Sequence, residues 1–322
     1  MYSNLEACKN YDPNSLSNAG MRDSTSDMWL LFILLSTVAW ALVNILNSVL
    51  VHHYHKSPIM LTWIQSILSV PLLALIGLHV NTHSSWVLLF VIVGMSAYLA
   101  DLWFFRVAHS LDISVLNIAW SILALFLTII GVFYFHESWT IHQSIGAFLI
   151  LGGALLLTLY HQHINFRQTL WLLLTLAALY VPYYSVKKAA INFGEGADTA
   201  FFWLLVGREV PSLLLPLTSK KTVQLALQIT CDHWLFPVKS LLIVICYFLA
   251  EYFGTLAYQK GSLSLVAIVA NAQPFAVLFF AGLYTTLWPK YAPRELLSRQ
   301  SLGIKLVSFG LVFLGLILMP PQ

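Results

Sequence analysis

Residues 86–107 read WVLLFVIVGMSAYLADLWFFRV, from Trp86 to Val107, with one acid, Asp101, and one base, Arg106. About 20 mostly apolar residues in a helix cross a bilayer, so this stretch reads as a membrane span. Lipid cannot pair backbone N–H and C=O groups, which makes the helix obligatory. Working outward, the same ruler finds spans at Trp29–Val51, Pro58–Leu78, Ile113–His136 and Ile141–Tyr160. Beyond them lie Thr169–Ala189, Thr199–Leu217, Leu235–Tyr258, Leu265–Leu287 and Leu302–Met319. The 322 residues are 59% hydrophobic and only 9% charged, with a mean hydropathy of +0.80. Soluble domains carry about 25% charged residues. Residues 1–28 form a polar tail without a basic start or a cleavable apolar run, so no signal peptide is expected. Cys8, Cys231 and Cys246 offer neither a disulfide framework nor metal spacing. A net charge of +3 gives no reason to expect a nucleic-acid partner.

The span from 86 to 107 has an echo. Tyr98-Leu99-Ala100-Asp101 recurs as Phe248-Leu249-Ala250-Glu251, 150 positions on, and Ser114 recurs as Ser264 at the same offset. Trp63 with Val70-Pro71 recurs as Trp203 with Val210-Pro211 at an offset of 140. Gly146 and Gly153 recur as Gly303 and Gly310 at 157. Offsets that grow only at connections are those of a duplicated unit with insertions. Two consecutive units of five helices must sit upside down relative to each other. The fold expected is therefore all-α and integral to the membrane: about ten transmembrane helices as two inverted five-helix repeats, 29–160 and 169–319. The connections at Ser110–Asp112 and Gly261–Ser264 must be tight hairpins, and a span merged or split there would change the count by one.

His136-Glu137-Ser138-Trp139-Thr140, followed by Gln143-Ser144-Ile145-Gly146-Ala147 and Gly152-Gly153, resembles the EamA-like family of the drug/metabolite transporter superfamily. In that family a Glu ends the fourth helix and an Ile-Gly-Ala pattern opens the fifth. Arg208 stands where the family often carries an arginine, and Trp40-Ala41 resembles its Trp-Gly signature. The second half lacks a clean match to Glu137, the link Trp288–Gln300 is longer than usual, and Leu68 stands opposite Arg208 in the first repeat. The resemblance implies ten helices around a central cavity lined by helices 1–4 and 6–9.

Ionisable groups within spans cost several kcal/mol and need a reason to be there. Asp101, Glu251, Arg208 and Glu209 are such groups. Asp101 and Glu251 are repeat-equivalent, so an inverted pair would serve opposite halves of a cavity in proton coupling or substrate binding. The alternative is a structural acid, or a partner for Arg208. Arg208 and Glu209 could also pair with each other, although neighbours on a helix point about 100° apart. Candidate cavity residues are Asn44 and Asn47 on span 1, Asn117 and Trp120 on span 4, and Asn271 and Gln273 on span 9. Span 6 adds Tyr180, Tyr183, Tyr184 and Lys187 on one helical face. Individually each of these polar groups is as well explained by bonding between helices.

Glu137 reads as structural, Thr140 with Gln143 as a capping box, and Gly146, Gly152 and Gly153 as a helix-packing face. His52, His53, His55, His161 and His163 read as solvated groups at helix ends rather than metal ligands. Nothing supports a catalytic constellation, a metal or a cofactor. The function expected is a secondary transporter exporting small organic metabolites or drugs, in a bacterial inner membrane, by alternating access. Its partners would be a small-molecule substrate and the bilayer, with a homodimer also open to it. A nucleotide-sugar or lipid-linked carrier of the same fold is the first rival, favoured by a laterally open or basic cavity. A non-transporting scaffold or receptor with a dry interior is the second. On orientation, the resemblance implies both ends in the cytoplasm, whereas the distribution of Lys and Arg favours both ends outside.

Overall fold

The computed structural model describes residues 28–53, 57–108, 118–159, 166–287 and 299–318. Apart from one short 3-10 turn, Leu215–Thr218, its regular elements are α-helices, with no strand among the described residues. In chain order these are α1 (Met28–His53), α2 (Pro58–Gly77), α3 (Val87–Ala108), α4 (Ile118–Phe133), α5 (Ile141–Leu159) and α6 (Phe166–Asn192). The second half adds α7 (Ala197–Leu214), α8 (Lys220–Asp232), α9 (Leu235–Lys260), α10 (Leu263–Ala270), α11 (Gln273–Leu287) and α12 (Arg299–Ile317). Among the described residues, seven stretches are long and apolar enough to cross a membrane, α10 and α11 counting as one of them. Ala119–Phe133, Ile141–Gly153 and Val307–Ile317 are shorter apolar helices. Large apolar side chains such as Leu75, Leu88, Phe148, Phe279 and Phe313 point outward, as a lipid-facing surface requires.

Helix starts follow local chemistry. Ser57 caps α2 by accepting from the Met60 N–H, with Pro58 in the first turn where no N–H is needed. Thr140 and Gln143 form the expected capping box at α5, each side chain accepting from the other's backbone N–H at 3.2 and 3.0 Å. Between α6 and α7 the chain reverses at Gly194, whose φ of 94° is costly for any residue with a Cβ.

The two halves interleave. Helix α1 packs chiefly on α9, α3 on α7, α4 on α10, and α5 on α12. Two of these seams close on glycine. A methyl on Gly94 would lie 2.6 Å from the Leu204 carbonyl oxygen, and one on Gly207 would lie 2.6 Å from that of Val91. Helices α3 and α7 therefore touch backbone to backbone. Helices α5 and α12 meet likewise through Gly146, Gly153 and Gly315.

Four details depart from the sequence reading or add to it. Gly152 has nothing within 4 Å of an added Cβ and is not part of that packing face. Gly303 and Gly310 are equally open, so they do not repeat the role of Gly146 and Gly153. The segment after Ser219 is helix α8, between two spans: Ser219 caps it, and Ala226 and Ile229 are buried on one side. The ninth span is broken at Asn271-Ala272, because Pro274 has no N–H with which to continue α10. The tight connection between α9 and α10 is present, with only Gly261 and Ser262 between the two helices. The 110–112 connection, Ser114 and His55, His161 and His163 lie outside the described residues, as do the side chains of His52 and His53.

Candidate functional site

Helix α6 organises the interior. Tyr180, Tyr183, Tyr184 and Lys187 fall on one face, and that face holds both repeat-equivalent acids. The Tyr180 hydroxyl donates to Asp101 Oδ1 at 2.5 Å. Tyr183 donates to Glu251 Oε2 at 2.9 Å, and Lys187 Nζ donates to the same oxygen at 2.6 Å. Lys187 is fully buried, and Glu251 nearly so.

Asp101 belongs to a first chamber, a tight one toward the end of α1. Arg208 Nε donates to Asp101 Oδ2, and its Nη1 donates to Glu209 Oε1. The adjacent pair thus does form, because the long arginine side chain bends back to its neighbour. Ser66 donates to the other oxygen of Glu209. The guanidinium carbon lies 3.9 Å from the centre of the Tyr247 ring. The Gly94–Gly207 contact is what brings Arg208 within reach of Asp101, by removing side chains from the crossing point of α3 and α7. Asn44 and Asn47 line the same space. Asn47 accepts from Gln65 at 2.8 Å, while Asn44 Nδ2 has no hydrogen-bond partner among the described residues. Buried charges persist only when paired and hydrogen-bonded, and here each oxygen of both carboxylates is held.

Glu251 belongs to a second tight chamber, toward the start of α1. Lys187, Tyr184, Asn271 and Gln273 line it. The Lys187 ammonium lies 4.4 Å from the Tyr183 ring centre and 5.2 Å from that of Tyr184. Asn271, at the helix break, accepts from Ser121 at 2.8 Å and donates to the Ala267 carbonyl at 3.2 Å. Among the described residues, Gln273 Nε2 and Trp120 Nε1 have no hydrogen-bond partner. Trp40 and Trp120 line both chambers and stand between them, their ring centres 6.3 Å apart. Trp120 also meets Tyr180 at 5.3 Å, and Trp40 meets Tyr247 edge-on at 5.4 Å.

All four ionisable candidates therefore face one chamber or the other: Asp101, Arg208 and Glu209 the first, Glu251 the second. Of the polar candidates, Tyr183 holds Glu251 without lining either space, and Asn117 lies outside the described residues. Gln65, Ser66 and Tyr247 escaped the sequence reading. Tyr247 sits four positions before Glu251, a helical neighbour that the spacing alone could have suggested. Lys188 was also missed: its Nζ donates to the carbonyls of Tyr258 and Gly261, both at 2.8 Å, closing the end of α9. Beside it, Glu137 accepts from the backbone N–H groups of Leu263 and Ser264 and from the Ser264 hydroxyl. Glu137 thus caps α10 across the repeat boundary, an electrostatically favourable place for a carboxylate. No group of three or more His, Cys, Asp or Glu side chains is placed to hold a metal among the described residues.

No curated protein matches the chain. A solved crystal structure superposes with a TM-score of 0.64, covering 90% of this chain and 95% of its own, at 15% identity. That likeness is one of fold. The multi-pass helical architecture and the family match together make this an integral membrane protein. Residues 27–159, the α1–α5 half that carries Asp101 and Glu137, match the model of the EamA-like transporter family.

Proposed function

We propose that the protein is a secondary transporter that exports small organic solutes by alternating access, with the two chambers as its half-sites. In this reading ten spans form two inverted five-helix repeats, 29–160 and 169–319. The seven long apolar stretches and three shorter ones supply the ten. The observation that carries the proposal is the pair of repeat-equivalent acids, Asp101 and Glu251. Each is held by an α6 tyrosine and a cation, on opposite sides of the Trp40–Trp120 partition. Sites in inverted-repeat transporters lie at the repeat interface and use broken helices, and the α10–α11 break presents Asn271 and Gln273 to the second chamber. Either acid can exchange its cation for a proton or for a charged solute, and that exchange couples binding to the opening of one side. Both chain ends lie in the cytoplasm of a bacterial cell in this reading.

The test is release of solutes from bacteria expressing the chain, followed by mass spectrometry of the medium. At equal membrane expression, the wild type should release at least one organic solute that neither Asp101→Asn nor Glu251→Gln releases. Identical media from all three strains would overturn the proposal. A lipid-linked carrier is the second reading, favoured by an apolar groove between α2, α7 and α9 lined by Leu72, Leu75, Ile76, Phe201, Ile245 and Leu249.

A further inference from the structure

We infer that the second chamber is a carboxylate site: it takes a short monocarboxylate of about the size of acetate, whose oxygens accept from Lys187 and Gln273 while Glu251 releases Lys187 and takes a proton. This rests on the transporter reading and names a substrate class for one of its half-sites. The chamber offers more donors than acceptors. Gln273 lines it, is only 6% exposed, and has no partner for Nε2 among the described residues. Trp120 Nε1, on the partition, is a second such donor. An unmade bond at a buried donor costs about 1–3 kcal/mol, so these groups point to a guest that accepts. Lys187 Nζ has three N–H groups and gives one to Glu251. Helix α11 begins at Gln273, so the positive end of its dipole opens on the same space. A carboxylate accepts on two oxygens and donates nothing. The rest of the wall includes Ile33, Leu123, Leu127 and Ala267, which suit a short alkyl group, and the room is that of a few waters.

The first chamber does not share this arrangement. Every oxygen of Asp101 and Glu209 is already held there. At the offset of 150, Gln273 and Pro274 stand opposite Leu123 and Ala124. Those two lie inside α4, which runs unbroken from Ile118 to Phe133 and presents no helix start.

Charge fixes the proton. Lys187 and Glu251 sum to zero, so a carboxylate entering alone would leave one unpaired negative charge in a buried place. A proton from solution on Glu251 restores neutrality. Both bonds to that carboxylate fall on Oε2, which leaves Oε1 to carry the proton while Lys187 turns to the solute. The other titratable groups facing Glu251 are Tyr183 and Tyr184 of α6 and Tyr247 and Tyr258 of α9. Helices α1, α4, α10 and α11 bring none to the chamber, and α2 has none at all. Arg208 and Glu209 of α7 face the first chamber, and the charged groups of α8 are exposed.

The full chain in lipid nanodiscs would be titrated with isotopically labelled acetate and, in parallel, with acetamide, a neutral molecule of the same shape. Binding would be read as NMR line broadening of the label. Acetate should bind about tenfold tighter than acetamide. Its dissociation constant should fall about tenfold per pH unit between about pH 8 and about pH 6, as uptake of one proton requires. Gln273→Leu removes an unpaired donor, so it should weaken acetate about tenfold without lowering the melting temperature. The double variant Lys187→Met, Glu251→Gln should lose the preference for acetate. Equal binding of the two molecules, an affinity independent of pH, or full acetate affinity in Gln273→Leu would overturn the inference. These failures are distinct from failure of transport: solute release that Glu251→Gln abolishes, from a chain that does not bind acetate, removes the carboxylate site and leaves the transporter standing.

Discussion

Asp101 and Glu251 occupy equivalent places in the two halves, yet their surroundings differ in charge. Both accept from a tyrosine of α6. Asp101 takes its cation from α7, and Arg208 is shared with Glu209, so two acids depend on one base. Glu251 takes its cation from α6 itself, one acid to one base. Neither cation has a charged counterpart: Leu68 stands opposite Arg208, and Asn47 opposite Lys187. The two sites thus share an acid and differ in the base. In the proposed function this difference lets the two chambers bind and release with unequal strength.

This asymmetry orders the expected losses. Arg208→Leu strands two buried carboxylates at once and should destabilise the protein by more than the ~3–5 kcal/mol of breaking one buried pair. Thermal unfolding in detergent would show it, with Arg208→Lys restoring part of the loss. A wild-type melting temperature for Arg208→Leu would break the comparison.

Lys187→Met strands only Glu251 and should cost about 3–5 kcal/mol. Here the one-to-one pairing makes rescue possible: the double variant Lys187→Met, Glu251→Gln should recover much of the loss, because no charge remains unpaired. No single second substitution should do the same for Arg208→Leu. Equal rescue in both chambers would mean that the sharing of Arg208 carries no energetic weight.

Smaller effects separate the two seams. Gly207→Val forces α3 and α7 apart and should cost about 1–3 kcal/mol, while weakening the Arg208–Asp101 contact. Gly303→Ala, with open space around its Cβ, should lie within about 0.5 kcal/mol of wild type. Glu137→Ala removes the cap of α10 and should cost about 0.5–2 kcal/mol, read as a lower melting temperature.

Most spans were legible because each is a long apolar run, and lipid leaves the backbone a single solution. Helix α8 was not legible as a span, since Lys220, Lys221 and its glutamines dilute the run; its burial pattern at Ala226 and Ile229 shows only once a partner surface exists. The α6 stripe could be read from helical spacing alone, and it does organise both chambers. The Asp101–Arg208 pairing could be raised only as an alternative, because those residues are 107 positions apart and meet through the glycine crossing of α3 and α7. The glycine offsets misled for a related reason. Gly303 and Gly310 match Gly146 and Gly153 in sequence spacing, but α5 and α12 turn different faces to each other, so Gly315 stands at the contact instead.

The central claim is that the two chambers are half-sites opening to opposite faces of the membrane. Asn47→Cys in the first chamber and Tyr184→Cys in the second test it directly, in a background with Cys8, Cys231 and Cys246 replaced. A membrane-impermeant thiol reagent would be applied in turn to each face of sealed vesicles. The account predicts that the cysteine at 47 labels from the face where α1 ends and the one at 184 from the face where α1 begins. Labelling of both from one face, or of neither while cysteines placed in the connecting loops react, would contradict it.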